Sequence, residues 1–110
     1  MANRFIKVLL IEDNPGDARL IEEMLATAKG ARFHLESVDR LARGLDRLGS
    51  GGIDAVLLDL SLPDSDGLDT FLKVQSRAPA VPIIILTSLD DEETALRAVR
   101  EGAQDYIPAL

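Results

Sequence analysis

The chain has no cysteine among its 110 residues, so it can form no disulfide framework and do no thiolate chemistry. Its one histidine, His34, has no thiol to join it, which argues against a zinc site. Long hydrophobic runs are missing too. The longest, Val8 to Ile11 and Ile83 to Leu86 among them, fall far short of the roughly 20 apolar residues of a membrane-spanning helix. The opening stretch "MANRFIKVLL" lacks the long apolar core and the small-residue cleavage site of a signal peptide, so a cytoplasmic location is expected. Bases are the scarcer charge: 12 against 19 acids, a net charge of −7. That balance argues against binding nucleic acid through a basic face. What remains is a sequence 46% hydrophobic and 28% charged, of a length for one domain, residues 1–110.

Apolar runs alternate with helical patterns along the chain. Ile6 to Ile11, broken only by Lys7, reads as a strand buried on both faces. Ala18, Ile21, Leu25 and Ala28 recur at spacings of three and four, which predicts an amphipathic helix from Asp17 to Ala28, with Asn14-Pro15 at its start. "FHLESV" alternates as an edge strand does, and a short helix is expected from a cap at Asp39 to Leu48, where "GSGG" stops it. Ile53 to Leu58 is a second buried run, ending on Asp59. The turn formers of "LSLPDSDG" follow, and then a helix from Leu68 to Ser76 or Arg77. "VPIIILTS" is the third buried run. "LDDEETALRAVREG" reads as a helix with acids in its first turn, and "AQDYIPAL" as the last strand.

This β-α alternation predicts a parallel sheet with helices on both faces, whose site lies at the carboxyl ends of the strands. Three strands deliver polar residues to that edge: Glu12 with Asp13, then Asp59, then Thr87 with Ser88. Converging carboxylates repel one another unless a cation sits between them, and they suit a hard, oxygen-seeking ion such as Mg²⁺. For Glu12 and Asp13 taken alone, a solvated strand end capping the next helix serves as well.

The stretches "VLLIEDNP", "DAVLLDLSLPDSDG", "PIIILTS" and "GAQDYI" resemble, in order and spacing, the successive signatures of the response-regulator receiver domain, the phosphoacceptor module of two-component signalling. The resemblance implies a flavodoxin-like sheet of five parallel strands in the order 2-1-3-4-5. It implies that Asp59 attacks a phosphohistidine on a sensor histidine kinase or a phosphotransfer protein. Asp13 and Asp59 would hold Mg²⁺ through carboxylate oxygens, joined by the backbone carbonyl of Ser61, with Glu12 acting through a bound water. Thr87 corresponds to the hydroxyl that reaches for the phosphoryl group, and Ser88 to the small residue beside it. Tyr106 corresponds to the aromatic that turns inward. Pro63 and Gly67 fit the loop after the phosphoacceptor. Such a domain captures and loses its own phosphoryl group and is not an enzyme turning over a metabolite.

The sequence departs from that pattern twice. Ala109 stands where the family places a lysine, and no lysine follows Lys73. The missing ammonium would have bridged Asp59 to the phosphoryl oxygens, so its loss bears on both phosphorylation and switching. The chain also stops before the family's fifth helix, which fits a truncated or engineered fragment, a chain that pairs or swaps elements with another copy, or the leading piece of a larger protein; a truncation whose uncovered face drives self-association is the expectation favoured here. A second functional class fits the same residues: a pseudo-receiver, an interaction or scaffolding module with a metal-binding acidic pocket and no working switch. A flavodoxin-like cofactor binder would need a phosphate cradle where this chain has "EDNPGD". A calcium loop in "DLSLPDSDG" is spoiled by Leu60, Leu62 and Pro63. Neither a membrane nor nucleic acid is an expected partner.

Overall fold

The structure, a computed structural model, describes residues 5–108. In chain order its elements are β1 (Phe5–Ile11), α1 (Pro15–Ala26), β2 (Arg32–Val38), α2 (Leu41–Gly49) and β3 (Ala55–Asp59). A small hairpin follows, β4 (Ser61–Leu62) and β5 (Ser65–Asp66). Then come α3 (Leu68–Arg77), β6 (Ile83–Thr87), a 3₁₀ turn at Leu89–Asp91, α4 (Glu92–Arg100) and β7 (Asp105–Pro108). The five long strands form one parallel sheet in the order β2-β1-β3-β6-β7. Counting only sheet strands, that is the expected 2-1-3-4-5. The order reverses between β1 and β3, so the carboxyl ends of these two neighbours flank the crevice where such sheets place their sites.

The two faces of the sheet are unequally covered. On one face Leu9, Ile11, Val56, Leu58, Ile83 and Ile85 pack under α2, α3 and α4, with Phe71 and Val74 fully buried. On the other face Val8, Leu10 and Leu57 are buried against Ala18, Ile21 and Leu25 of α1. Among the described residues α1 is the one helix packed on that second face, and Ile84 and Leu86 there stay half-exposed. α2 lies close on β1 because Gly44 faces Ile11, and a Cβ at Gly44 would collide with the Ile11 Cδ1.

Element boundaries follow the capping chemistry. α1 begins at Pro15, two residues before the apolar spacing suggests. Proline needs no N–H donor there, and the Asn14 Oδ1 accepts from the N–H groups of Gly16 and Asp17 at 2.9 and 3.0 Å. α2 corrects the expectation more sharply. Asp39 does not cap it: the N-cap position is Arg40, whose side chain makes no capping bond, and the capping carboxylate comes from Asp64. The turn formers "LSLPDSDG" contain the β4–β5 hairpin, with Ser61 paired to Asp66 and Leu62 to Ser65. Gly67, at φ +73°, has no heavy atom within 4 Å of where a Cβ would stand, so conformation and not close approach requires glycine there. β7 pairs only with β6, which places Pro108 on an edge strand, where its missing N–H is tolerated. Ala109 lies outside the described residues. No helix among the described residues is long and apolar enough to cross a membrane.

Candidate functional site

β1 runs into its two acids without a turn. Leu9, Leu10 and Ile11 are fully buried, and the Glu12 N–H still donates to the Val38 carbonyl at 3.0 Å, as if the strand continued. Glu12 is therefore drawn into the protein at 8% exposure, while Asp13 is left exposed. β3 is the neighbour of β1 and ends on Asp59, which is half-buried. Carboxylate oxygens of Glu12, Asp13 and Asp59 all lie within 4.8 Å of one another, a group able to hold a metal ion.

The electrostatics reflect that crowding. Burial, then a hydrogen bond and a charge shared with Asp59, push the Glu12 carboxyl up from 4.5 to about 8; the Asn14 N–H, donating to Oε2 at 3.2 Å, opposes them. Burial also raises Asp59 above its ordinary value of 3.8, with the Asp13 carboxylate adding to it. The Ser61 N–H, which donates to the Asp59 Oδ1 at 3.0 Å, and the proton bridging from Glu12 act the other way. Burial and the neighbouring carboxylates thus favour a proton on Glu12 near neutrality, and a cation bound among them would compete with that proton.

The donor set fits a hard divalent ion. All three side chains offer oxygen, and neither imidazole nor thiol joins them. Ser61 is exposed next to Asp59, with its N–H already on that carboxylate.

The hydroxyl residues arrive on β6. Asp59 pairs with Leu86, which puts Thr87 one residue beyond, at the same sheet edge. Thr87 is 3% exposed, and its Oγ1 donates to the Ser88 carbonyl at 3.0 Å, so it engages the backbone and not the carboxylates. Ser88 is exposed and donates through Oγ to Asp91 Oδ2 at 3.2 Å. Tyr106 is half-buried against the larger core cluster, level with Ile85 on the neighbouring strand. The structure therefore gathers Glu12, Asp13 and Asp59 into one group, sets Ser61 and Thr87 at its margin, and keeps Tyr106 a strand away.

Two features had no readable sequence signal. An open groove of about 790 Å³ runs from Glu12 and Asp13 between α1 and the start of α2, past Arg19, Val38, Asp39 and Arg43. Its walls come from three separate segments, so no local motif marks it. Asp64, read as a turn residue, bonds the first two amides of α2 at 2.8 and 2.9 Å, and a helix-capping partner 22 or 23 residues distant has no spacing rule.

The family model of the response regulator receiver domain matches residues 8–108. The swarming motility regulation protein RssB of Serratia marcescens is 36% identical over 102 residues, covering 93% of this chain and 45% of that protein. The cell cycle transcriptional regulator CtrA of Caulobacter vibrioides is 34% identical over 102 residues, covering 93% and 43%. The chain thus spans less than half the length of these curated relatives. Among solved structures, a response regulator receiver domain protein from Clostridium thermocellum superposes with a TM-score of 0.82 at 26% identity, covering 94% of this chain and 81% of that one. The phosphorylated cyanobacterial phytochrome response regulator RcpA gives 0.81 at 26%, covering 96% and 81%. The match takes in all or part of every strand of the sheet, with the acidic edge between β1 and β3: the chain belongs to the response regulator receiver domain family.

Proposed function

We propose that this domain accepts a phosphoryl group onto Asp59 from a sensor histidine kinase or a phosphotransfer protein, with Mg²⁺ as its cofactor. The observation that carries this reading is the convergence of Glu12, Asp13 and Asp59 within 4.8 Å at the switch point of the sheet. Asp13 and Asp59 would hold the ion through carboxylate oxygens, with the Ser61 carbonyl beside them and Glu12 contributing through water. Bound there, Mg²⁺ supplies the positive charge that lets one anion approach another. The Ser61 N–H on Oδ1 orients the Asp59 carboxylate. A carboxylate oxygen attacks the phosphorus of the phosphohistidine, the P–N bond breaks with its electron pair left on the imidazole nitrogen, and an acyl phosphate forms on Asp59. Thr87 then exchanges its Ser88 carbonyl for a phosphoryl oxygen. Ser88 leaves room for that group, and Tyr106 follows Thr87 inward. The domain turns over no metabolite; it gains and loses its own phosphoryl group.

Intact mass after incubation with acetyl phosphate tests the reading, with and without Mg²⁺, on this chain and on Asp59→Asn. The expected result is one phosphoryl group, gained only with Mg²⁺ and only by the unsubstituted chain. Ala109 supports a second reading, a metal-binding scaffold without a switch, since the family's lysine is missing. Binding of Mg²⁺ with no gain in mass, in a folded sample, selects that one. The less covered face supports self-association: Ile107, level with Leu86 on that face, is 48% exposed. Sedimentation of wild type against Ile107→Lys checks it, and a monomer at every concentration rules it out.

A further inference from the structure

Beyond the carboxylate group, one side chain joins two elements that phosphoacceptor chemistry does not by itself connect. α2 lacks a cap of its own: Arg40, at its N-cap, has extended backbone (φ −155°, ψ 160°) and makes no side-chain capping bond. The cap comes from the loop behind the phosphoacceptor. Asp64 accepts from the Leu41 N–H at 2.8 Å with one oxygen and from the Ala42 N–H at 2.9 Å with the other. Its negative charge meets the partial positive charge of a helix start.

Asp64 lies between β4 and β5, at the tip of the hairpin whose first residue, Ser61, donates its N–H to the Asp59 Oδ1. A hairpin of two paired residues per strand is not stable by itself, so outside contacts must hold it. Its base is held by the Gly67 N–H on the Leu60 carbonyl at 2.8 Å, and β5 is tied to α3 beside the turn by the hydroxyls of Ser65 and Thr70 at 2.7 Å. Asp64 adds the tie from the tip to α2. Just before α2, the Val38 carbonyl takes the Glu12 N–H at 3.0 Å. Hydrogen bonds and short stretches of chain therefore connect the two acids through the hairpin and α2: Asp59, Ser61, Asp64, the start of α2, Val38 and Glu12.

We propose that Asp64 is a positioning residue for the acceptor: by tying the hairpin tip to α2 it holds the Ser61 peptide against the carboxylate group, beyond any role as a helix cap. The proposal rests on the reading of Asp59 as phosphoacceptor. It differs from simple capping in what repairs its loss. A local cap on α2 would restore the helix but leave the hairpin untied.

The test compares wild type with Asp64→Ala, Asp64→Asn and the double variant Asp64→Ala with Arg40→Ser. Serine at residue 40 gives α2 an N-cap in suitable extended backbone, and so keeps the experiment readable if Asp64→Ala alone folds poorly. Beside the melting temperature, three quantities are read: Mg²⁺ affinity by calorimetry, the rate of mass gain with acetyl phosphate, and hydrogen exchange at the Ser61 amide. Asp64→Ala is expected to weaken affinity and slow the rate by roughly tenfold, as loss of a supporting contact at a metal site does, and to speed Ser61 exchange. Asp64→Asn, which keeps one acceptor oxygen, should fall between. In the double variant the melting temperature should return while affinity, rate and Ser61 exchange stay impaired. Full recovery of all three by Arg40→Ser would reduce Asp64 to a cap and overturn the proposal, as would an Asp64→Ala chain that matches wild type in all three. A wild type that takes no phosphate sinks the acceptor reading instead, and Mg²⁺ affinity with Ser61 exchange then still decides the part of Asp64.

Discussion

Glu12 is the residue whose chemistry the fold changes most. Its carboxyl titrates at about 8 in the folded chain against 4.5 ordinarily. Between those values the native state keeps a proton that the unfolded chain has released. Stability therefore falls as pH rises from about 4.5 towards about 8, where the slope ends. Thermal unfolding in a chelating buffer should show that decline. Saturating Mg²⁺ should flatten it, because the cation replaces the proton as the countercharge. Asp59→Asn removes one neighbouring charge and should flatten the slope only in part, since burial is the larger cause of the shift. An unchanged slope in both conditions would show that Glu12 is not under strain.

At the scale of elements, α2 concentrates the tight fits. Its Gly44 lies on Ile11, which is fully buried, so the Ile11 side chain would have to shift within the core to admit a methyl group. Gly44→Ala should overpack that contact at about 1–3 kcal/mol, offset by up to about 1 kcal/mol of better helix propensity. A net loss of about 1 kcal/mol in urea denaturation is expected. The other end of the helix start is Asp64, held below the ordinary carboxylate value of 3.8 by the N–H groups of Ala42 and Leu41. A depressed carboxylate stabilises fully above its unfolded value, and its contribution goes as pH falls through the folded one. Amide exchange at Leu41 and Ala42 should therefore accelerate below about pH 3.8, and in Asp64→Asn that acid-side change should shrink.

At the scale of the whole sheet, the described residues cover its two faces unequally. Consecutive residues of β6 separate them: Ile85 is fully buried under the three-helix side, and Ile84 is half-exposed on the side of α1. Ile85→Ala should cost about 2–5 kcal/mol, and Ile84→Ala clearly less, because its side chain keeps part of its contact with water in the folded state. Denaturant titration of the two variants ranks the faces directly, and equal losses would mean that the second face is covered in solution. Phe71→Ala, which empties the centre of the larger cluster, belongs with the costly group at about 3–5 kcal/mol.

Much of this protein was legible in order and pattern. Short apolar runs such as Val8 to Ile11 and Ile83 to Leu86, alternating with helical patterns, pointed to strands of a parallel sheet, although Ile84 and Leu86 are half-exposed in it. The acids at the strand ends followed, because a strand that stops on Asp59 beside one that stops on Glu12 and Asp13 must bring them to one edge. Tertiary structure alone decided what depends on neighbours distant in sequence. Burial at the end of β1, against Val38 of another strand, made Glu12 the strained acid and left adjacent Asp13 exposed. Asp39 has the chemistry of a cap but stands one residue before the N-cap position, and Asp64 from a remote hairpin caps α2 instead. Periodicity and local capping rules describe interactions within about one helical turn or one strand pleat. Which carboxylate meets a given amide, and which is shut away from water, is settled only when the sheet brings those segments together.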